Sequence, residues 1–397
     1  IVARLVSNMP KISVRAVAAQ SLTKRQPLIF SLTIQFLKSL SIKEKKYFLV
    51  GYTHMQIKME SWSSLEPLLE LTTNLIMVAK LTDVAKLAGV SPTTVSRVIN
   101  KKGYLSEKTI QKVQEAMREL GYKPNNVARS LQGKSAKLVG LIFPNISNVF
   151  YAELIDKLEH QLFKHGYKTI ICNSEHDSEK EREYIEMLEA NQVDGIISGS
   201  HNLGIEDYNR VTAPIIAFDR NLSPEIPVVS SDNYAGGVLA AETLVKTGAR
   251  KIIMITGNDN SNSPTGLRHA GFASVLPESM IINVSSDFSP IRKEMEIKQI
   301  LTHHKPDAIF ASDDLTAILI MKVARELDIQ IPQDLKVIGY DGTQFIETYT
   351  PELTTIQQPL EDIAILMVDL LLQKIEGKKV ATTGYFLPVS LHSGKSV

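Results

Sequence analysis

The segment from Thr82 to Leu131 constrains the fold of this chain more than any other. Thr82 or Asp83 can cap a short helix whose apolar positions Val84, Leu87 and Ala88 fall at helical spacing, and Gly89 supplies the positive φ of a tight turn. Ser91 then caps a second helix with Pro92 at its first position, where the missing N–H costs nothing. Val95, Val98 and Ile99 form the buried stripe of that helix, which leaves Thr93, Thr94, Ser96, Arg97 and Asn100 on its free face. Two short helices about a glycine turn, the second presenting small polar side chains and an arginine, make a helix-turn-helix.

A third helix begins at Ser106 and Glu107, carries Ile110, Val113, Met117 and Leu120 on one face, and ends at Gly121. Beyond Pro124, the run NNVARSLQGK is too short to hold a helix unless it is docked, because nucleation is costly. Charge follows the same division. Residues 77–136 carry 11 Lys/Arg against 4 Asp/Glu, net +7, and residues 1–76 carry net +6, while the whole chain is only +1. The remaining 137–397 is therefore strongly acidic, and phosphate contact is localised at one end of the molecule.

After this basic module, strands and helices alternate. LVGLIFP (138–144), YKTIICNS (167–174), VDGIISGS (193–200), PIIAFDR (214–220), KIIMITG (251–257), DAIFASDD (307–314) and LKVIGYDG (335–342) read as buried strands. Such βαβ alternation implies parallel sheets covered by helices on both faces, with a ligand crevice beyond the carboxyl ends of the strands. Those ends are polar: Asn145, Ser147 and Asn148; Asp219 and Arg220; the loop reaching Arg268; Asp313; and Asp341.

The single cysteine, Cys172, excludes an internal disulfide and fits a reducing cytoplasm, as a buried thiol. His303, His304, His160 and His165 lack the companions of a metal site, so no metal and no cofactor is implied, and the acidic run at 176–183 reads as an exposed helix start. In residues 1–76 the longest apolar run, LIFSLTIQFL, is too short to cross a bilayer, and no signal-peptide cleavage site follows it.

The motifs LTDVAKLAGVSPTTVSRVIN and GYKPNNVARSL, in order and without a gap, resemble the DNA-binding headpiece and hinge helix of the LacI family. The likeness runs from about Met77 to the C-terminus. It implies an all-α helix-turn-helix headpiece, residues 77–133, whose hinge helix spans about 125–132. An α/β core of two subdomains follows over 134–397, similar to periplasmic sugar-binding proteins, with several crossings between the halves. Residues 1–76 then precede what looks like a complete family member, and are expected to lie outside the functional protein; a basic extension that assists DNA binding is the competing reading.

By family position, Thr93, Thr94 and Arg97 would read base edges in the major groove, Pro92 standing with Thr93 where family side chains vary. Ser91, Ser96, Asn100 and Tyr104 would position phosphates. In the hinge, Val127 and Ala128 would pack the paired helices, Asn125 and Ala128 would lie at the DNA, and Leu131 would wedge into the minor groove, against the ordinary fate of a leucine as a packed residue. Asn145, Phe150, Tyr151, Asp219, Arg268 and Asp313 would line the effector cleft. An ordinary reading stands beside each: a solvated helix face for Arg97, core packing for Phe150 and Tyr151, and a surface ion pair for Asp313 with Arg268.

The resemblance thus implies a cytoplasmic homodimer that binds pseudo-palindromic operator DNA and represses a carbohydrate operon until a sugar or sugar-phosphate effector releases it, with no membrane partner. Sucrose, fructose and a phosphorylated sugar all suit such a cleft, and a corepressor remains open. A sugar-transport protein would share the core and lack the headpiece. An α/β enzyme would need paired carboxylates such as Asp313 and Asp314, but neighbours on one strand face opposite ways and no nucleophile elbow or phosphate loop accompanies them, so no enzymatic activity is expected.

Overall fold

The computed structural model describes residues 79–99, 103–122, 135–200, 202–257, 263–286, 288–382 and 384–397. The chain divides into two compact units near residue 123. The first contains α1 (Leu81–Ala88), α2 (Pro92–Ile99) and α3 (Glu107–Glu119). Their shared core is Val84, Ala85, Ala88, Val95, Val113 and Ala116, with Val98, Ile99, Met117 and Leu120 packed at its edge. Leu87, expected on the buried face, is 46% exposed, and Ala85 takes its place. Neither Thr82 nor Asp83 is the cap of α1: Lys80 holds that position, and its N–H donates to the Asp83 carboxylate at 2.8 Å, so Asp83 acts from inside the first turn. Ser91 does cap α2, accepting from Thr94 N–H at 3.1 Å, and Ser106 caps α3.

The second unit is α/β throughout. Its first sheet, in the order β11-β5-β4-β3-β1-β2, is built from β1 (Leu138–Phe143), β2 (Lys168–Asn173), β3 (Gly195–Ser198), β4 (Ile215–Phe218), β5 (Val228–Ser231) and β11 (Tyr385–Leu387), all paired in parallel. The second, in the order β12-β10-β9-β8-β6-β7, contains β6 (Ile252–Thr256), β7 (Met280–Asn283), β8 (Ala308–Ala311), β9 (Lys336–Asp341), β10 (Thr354–Gln357) and β12 (Ser390–His392), with β12 alone antiparallel. The seven runs read as strands in the sequence all form strands. Side chains alternate between faces, so Val139, Leu141 and Phe143 enter one core while Ile142 enters the other.

Helices cover these faces: α4 (Val149–Lys164), α5 (Ser178–Ala190), α6 (Ile205–Asn209), α7 (Asn233–Lys246), α8 (Pro264–Val275), α9 (Pro290–His304), α10 (Asp314–Glu326), α11 (Gln344–Tyr349) and α12 (Leu360–Ile375). The chain passes between the halves three times: from β5 into α7, which packs on the second sheet; from β10 into α12, which packs on the first; and from β11 to β12. These passages are tied together. Ser231 Oγ donates to Gln358 Oε1 at 2.5 Å, and Asp232 N–H donates to the Leu387 carbonyl at 2.8 Å.

Two sequence expectations change here. α5 does begin in the acidic run, capped by Asp177, but Glu181 is fully buried. It accepts from the Asn202 amide at 2.7 Å and from the Tyr208 hydroxyl, which fastens the loop after β3. Asp313 and Asp314 do not share a strand: β8 stops at Ala311, Asp313 caps α10, and Asp314 is its first residue.

Candidate functional site

The cleft chemistry starts with two glycines. A Cβ on Gly237 of α7 would lie 2.0 Å from the Arg268 carbonyl oxygen, and one on Gly271 of α8 would lie 2.0 Å from the Tyr234 carbonyl oxygen. Only bare backbones can cross so closely. The crossing sets Arg268 beside Asn233, the first residue of α7.

Arg268 is 6% exposed. Its Nε donates to Asn233 Oδ1 at 2.8 Å, its Nη1 donates to the Ser312 carbonyl at 2.7 Å, and its guanidinium lies 3.6 Å over the Tyr340 ring. Asp341 Oδ1 is 3.9 Å from Nη1. Burial would lower the Arg268 pKa, but the fields of Tyr340, Asp341, Asp219 and Asp313 outweigh it and hold the group above its ordinary value. A buried arginine bonded through Nε and Nη1 is not half of a surface ion pair with Asp313.

Asn233 links the two halves of the cluster, since its Nδ2 also donates to Asp219 Oδ1 at 3.1 Å. Asp219 accepts from Ser230 Oγ at 2.5 Å and has φ +66°, a left-handed conformation that these side-chain bonds hold in place. Burial raises its pKa against the pull of Arg268 and the two donors, and burial likewise raises Asp341 well above the carboxylate range. Burial pushes the Tyr340 hydroxyl up to about 12 and lifts that of Tyr151 further, with Asp219 adding to the latter. Gln358 joins this cluster to the crossings, donating to Asp341 Oδ1 at 2.8 Å.

Of the residues proposed for the cleft, the fold therefore brings Tyr151, Asp219 and Arg268 into one electrostatic cluster. Asp313 contributes to the field at Arg268, but both its oxygens are engaged by Thr316, the N–H and the hydroxyl each at 2.8 Å. Phe150 is 6% exposed and packs on Phe218, with ring centroids 5.9 Å apart. Asn145 is exposed and accepts from Ser147 N–H and Oγ. Asn233, Ser230, Tyr340 and Gln358 were not singled out from the sequence, and Asp341 only as a polar strand end.

On the headpiece, Thr93, Arg97 and Tyr104 are exposed, Tyr104 to 98%; Thr94 and Ser96 are half-buried, and Ser91 shares a hydroxyl contact with Thr94 at 2.9 Å. Asn100, Asn125, Ala128 and Leu131 lie outside the described residues. Among the described residues no cluster of His, Cys, Asp and Glu could hold a metal ion, and no helix is long and apolar enough to cross a membrane.

A capped helix-turn-helix unit in a chain with a two-subdomain α/β core, whose strand ends converge on a buried polar cluster, defines a ligand-responsive DNA-binding regulator. Comparison with known proteins gives the same architecture. The model of the bacterial regulatory proteins of the lacI family matches residues 80–125, and that of a periplasmic binding protein-like domain matches 241–397. The sucrose operon repressor of Streptococcus mutans serotype c is 69% identical over 321 residues, 81% of this chain and 100% of the relative. The lac repressor dimer bound to operator and the anti-inducer ONPF superposes with a TM-score of 0.70 at 29% identity, covering 81% of this chain and 99% of that one. A periplasmic binding protein/LacI transcriptional regulator from Alkaliphilus metalliredigens, complexed with D-xylulofuranose, gives 0.59 at 31% identity, covering 66% and 99%. The chain belongs to the lacI family.

Proposed function

We propose that this protein represses a sucrose utilisation operon and is released from its operator by a sugar or sugar-phosphate bound in the cleft. The observation that carries this reading is the 69% identity to a sucrose operon repressor over that relative's whole length. Thr93, Thr94 and Arg97 read base edges, with Pro92 beside Thr93 where family side chains vary, Ser91, Ser96, Asn100 and Tyr104 orient the helix on the phosphates, and Asn125, Ala128 and Leu131 belong to a hinge that enters the minor groove. Asp219, Arg268 and Asp313 bind sugar hydroxyls, beside Tyr151, Phe150 and Asn145.

The working form is a cytoplasmic homodimer without enzymatic activity. Phe345 and Tyr349 on α11, 46% and 72% exposed and in mutual ring contact, and Phe163 on α4, 64% exposed, are apolar surface that a second copy would cover. The relative's full length matching 81% of this chain supports a reading in which residues 1–76 lie outside the working protein.

The ligand acts by favouring one orientation of the two halves, and it shifts DNA affinity only by its differential affinity for the two forms. The test is equilibrium binding to an operator duplex at fixed salt while sucrose, fructose and a phosphorylated sugar are titrated. The reading predicts that one of them lowers operator affinity and leaves binding to random DNA unchanged; operator binding indifferent to all three sugars would reject it.

A further inference from the structure

Arg97 is not simply a side chain projecting from an exposed helix. A Cβ built on Gly103 would lie 3.0 Å from Arg97 Nη2, 3.4 Å from Cζ and 3.5 Å from Nε, so the guanidinium lies across that glycine's backbone. Gly103 has φ +75°, which L side chains rarely adopt, but the two other described glycines of this unit share that feature: Gly89 has φ +63° and Gly121 φ +59°, each with nothing within 4 Å. What distinguishes Gly103 is its cover. An exposed arginine ordinarily loses rotamer freedom when it enters a groove, and a group already resting on a fixed surface has less to lose and a set direction.

We propose that Gly103 is the positioning residue for Arg97: its bare backbone is the seat that aims the guanidinium, so base preference at the Arg97 position depends on the absence of a side chain at 103. This rests on the assignment of Arg97 to base reading. A Cβ at that distance makes the guanidinium give by a few tenths of an ångström and takes away its seat, and bidentate contact with a base edge depends on its direction.

The experiment uses the full chain, an operator selected by the wild type from random duplexes, and the set of its single base-pair substitutions, with a thermal melt of each variant. Gly121→Ala adds the same backbone strain with no arginine above it, so it should lower the melting temperature and keep the preference profile. Gly103→Ala should lower preference at one base position per half-site by about fivefold or more, the position lost in Arg97→Ala. Gly103→Asn, whose side chain tolerates positive φ, should do the same with less loss of stability. In the Arg97→Ala background, Gly103→Asn should change nothing further in the profile. Gly103 variants that keep the Arg97-dependent preference, or that alter positions untouched by Arg97→Ala, would overturn the proposal. If Arg97→Ala itself left every preference intact, the base-reading assignment would be the part that fails, and the seat would fall with it.

Discussion

Thr93, Arg97 and Tyr104 meet solvent from α2 and the turn beyond it, whereas Arg268 and Asn233 in the cleft are 6% and 2% exposed and bonded on several sides. The difference fits what each region is proposed to recognise. DNA brings its own dense charge, so a surface of movable side chains on a small capped scaffold suffices. A neutral sugar brings only hydroxyls, and affinity for it depends on donors and acceptors fixed in advance and shielded from water. The cleft therefore couples recognition to stability, and the headpiece largely separates them.

Substitutions at the glycine crossing should sharpen this contrast most. Gly271→Ala places a methyl 2.0 Å from a backbone oxygen, so α7 and α8 must separate. Overpacking of that kind costs about 3 kcal/mol. Denaturant unfolding of the core should report that loss together with loss of sugar binding, while binding to random DNA persists. A core unchanged in stability would mean that the crossing does not position Arg268.

Asp313 offers a smaller and more selective effect, because it caps α10 as well as being assigned to the ligand. Asp313→Ala should destabilise the core by about 1 kcal/mol, and Asp313→Ser, which retains a capping oxygen, by less. Both should weaken sugar binding at least tenfold by calorimetry, given about 1.5–3 kcal/mol for a hydrogen bond to a charged group. If the serine variant bound sugar normally, Asp313 would be a cap alone.

The smallest effect expected is in the pH profile. Asp314, 1% exposed, accepts from Thr355 Oγ1 at 2.6 Å and Gly342 N–H at 2.7 Å, and burial, with the field of Asp313, raises its pKa from 3.8 to about 7 against Arg268 and these two donors. The folded chain thus keeps a proton that the unfolded chain releases between about pH 4 and 7, and stability falls as pH rises through that window. Asp314→Asn can still accept from Gly342 N–H while its amide donates to Thr355 Oγ1, and it should make the fall shallower, without abolishing it, since Asp341 is raised in the same direction. An unchanged slope would remove Asp314 from this role.

The same contrast governs what the sequence reveals. Fully buried parallel strands such as Leu138–Phe143 read directly as apolar runs, and the headpiece is legible because caps, glycine turns and exposed polar positions are all local signals. β5 and β10, Val228–Ser231 and Thr354–Gln357, are rich in Ser, Thr and Gln, leaving too little contrast to detect. Asp219 and the loop reaching Arg268 read as polar strand ends, and only the family likeness singles them out as cleft residues. Asn233 carries no local signal of its role, because the partners that place it in the cluster, Asp219 and Arg268, lie 14 and 35 residues away.

The central claim is that cleft and operator are coupled, and coupling is reciprocal. The most direct test is calorimetry of the full chain with the releasing sugar, free and saturated with operator DNA, set against operator affinity with and without that sugar. The account predicts that operator weakens sugar binding by the same factor by which sugar weakens operator binding. In Arg268→Ala, sugar affinity should fall at least tenfold while sugar-free operator binding stays intact. Equal sugar affinity for the free and DNA-bound protein would contradict the account.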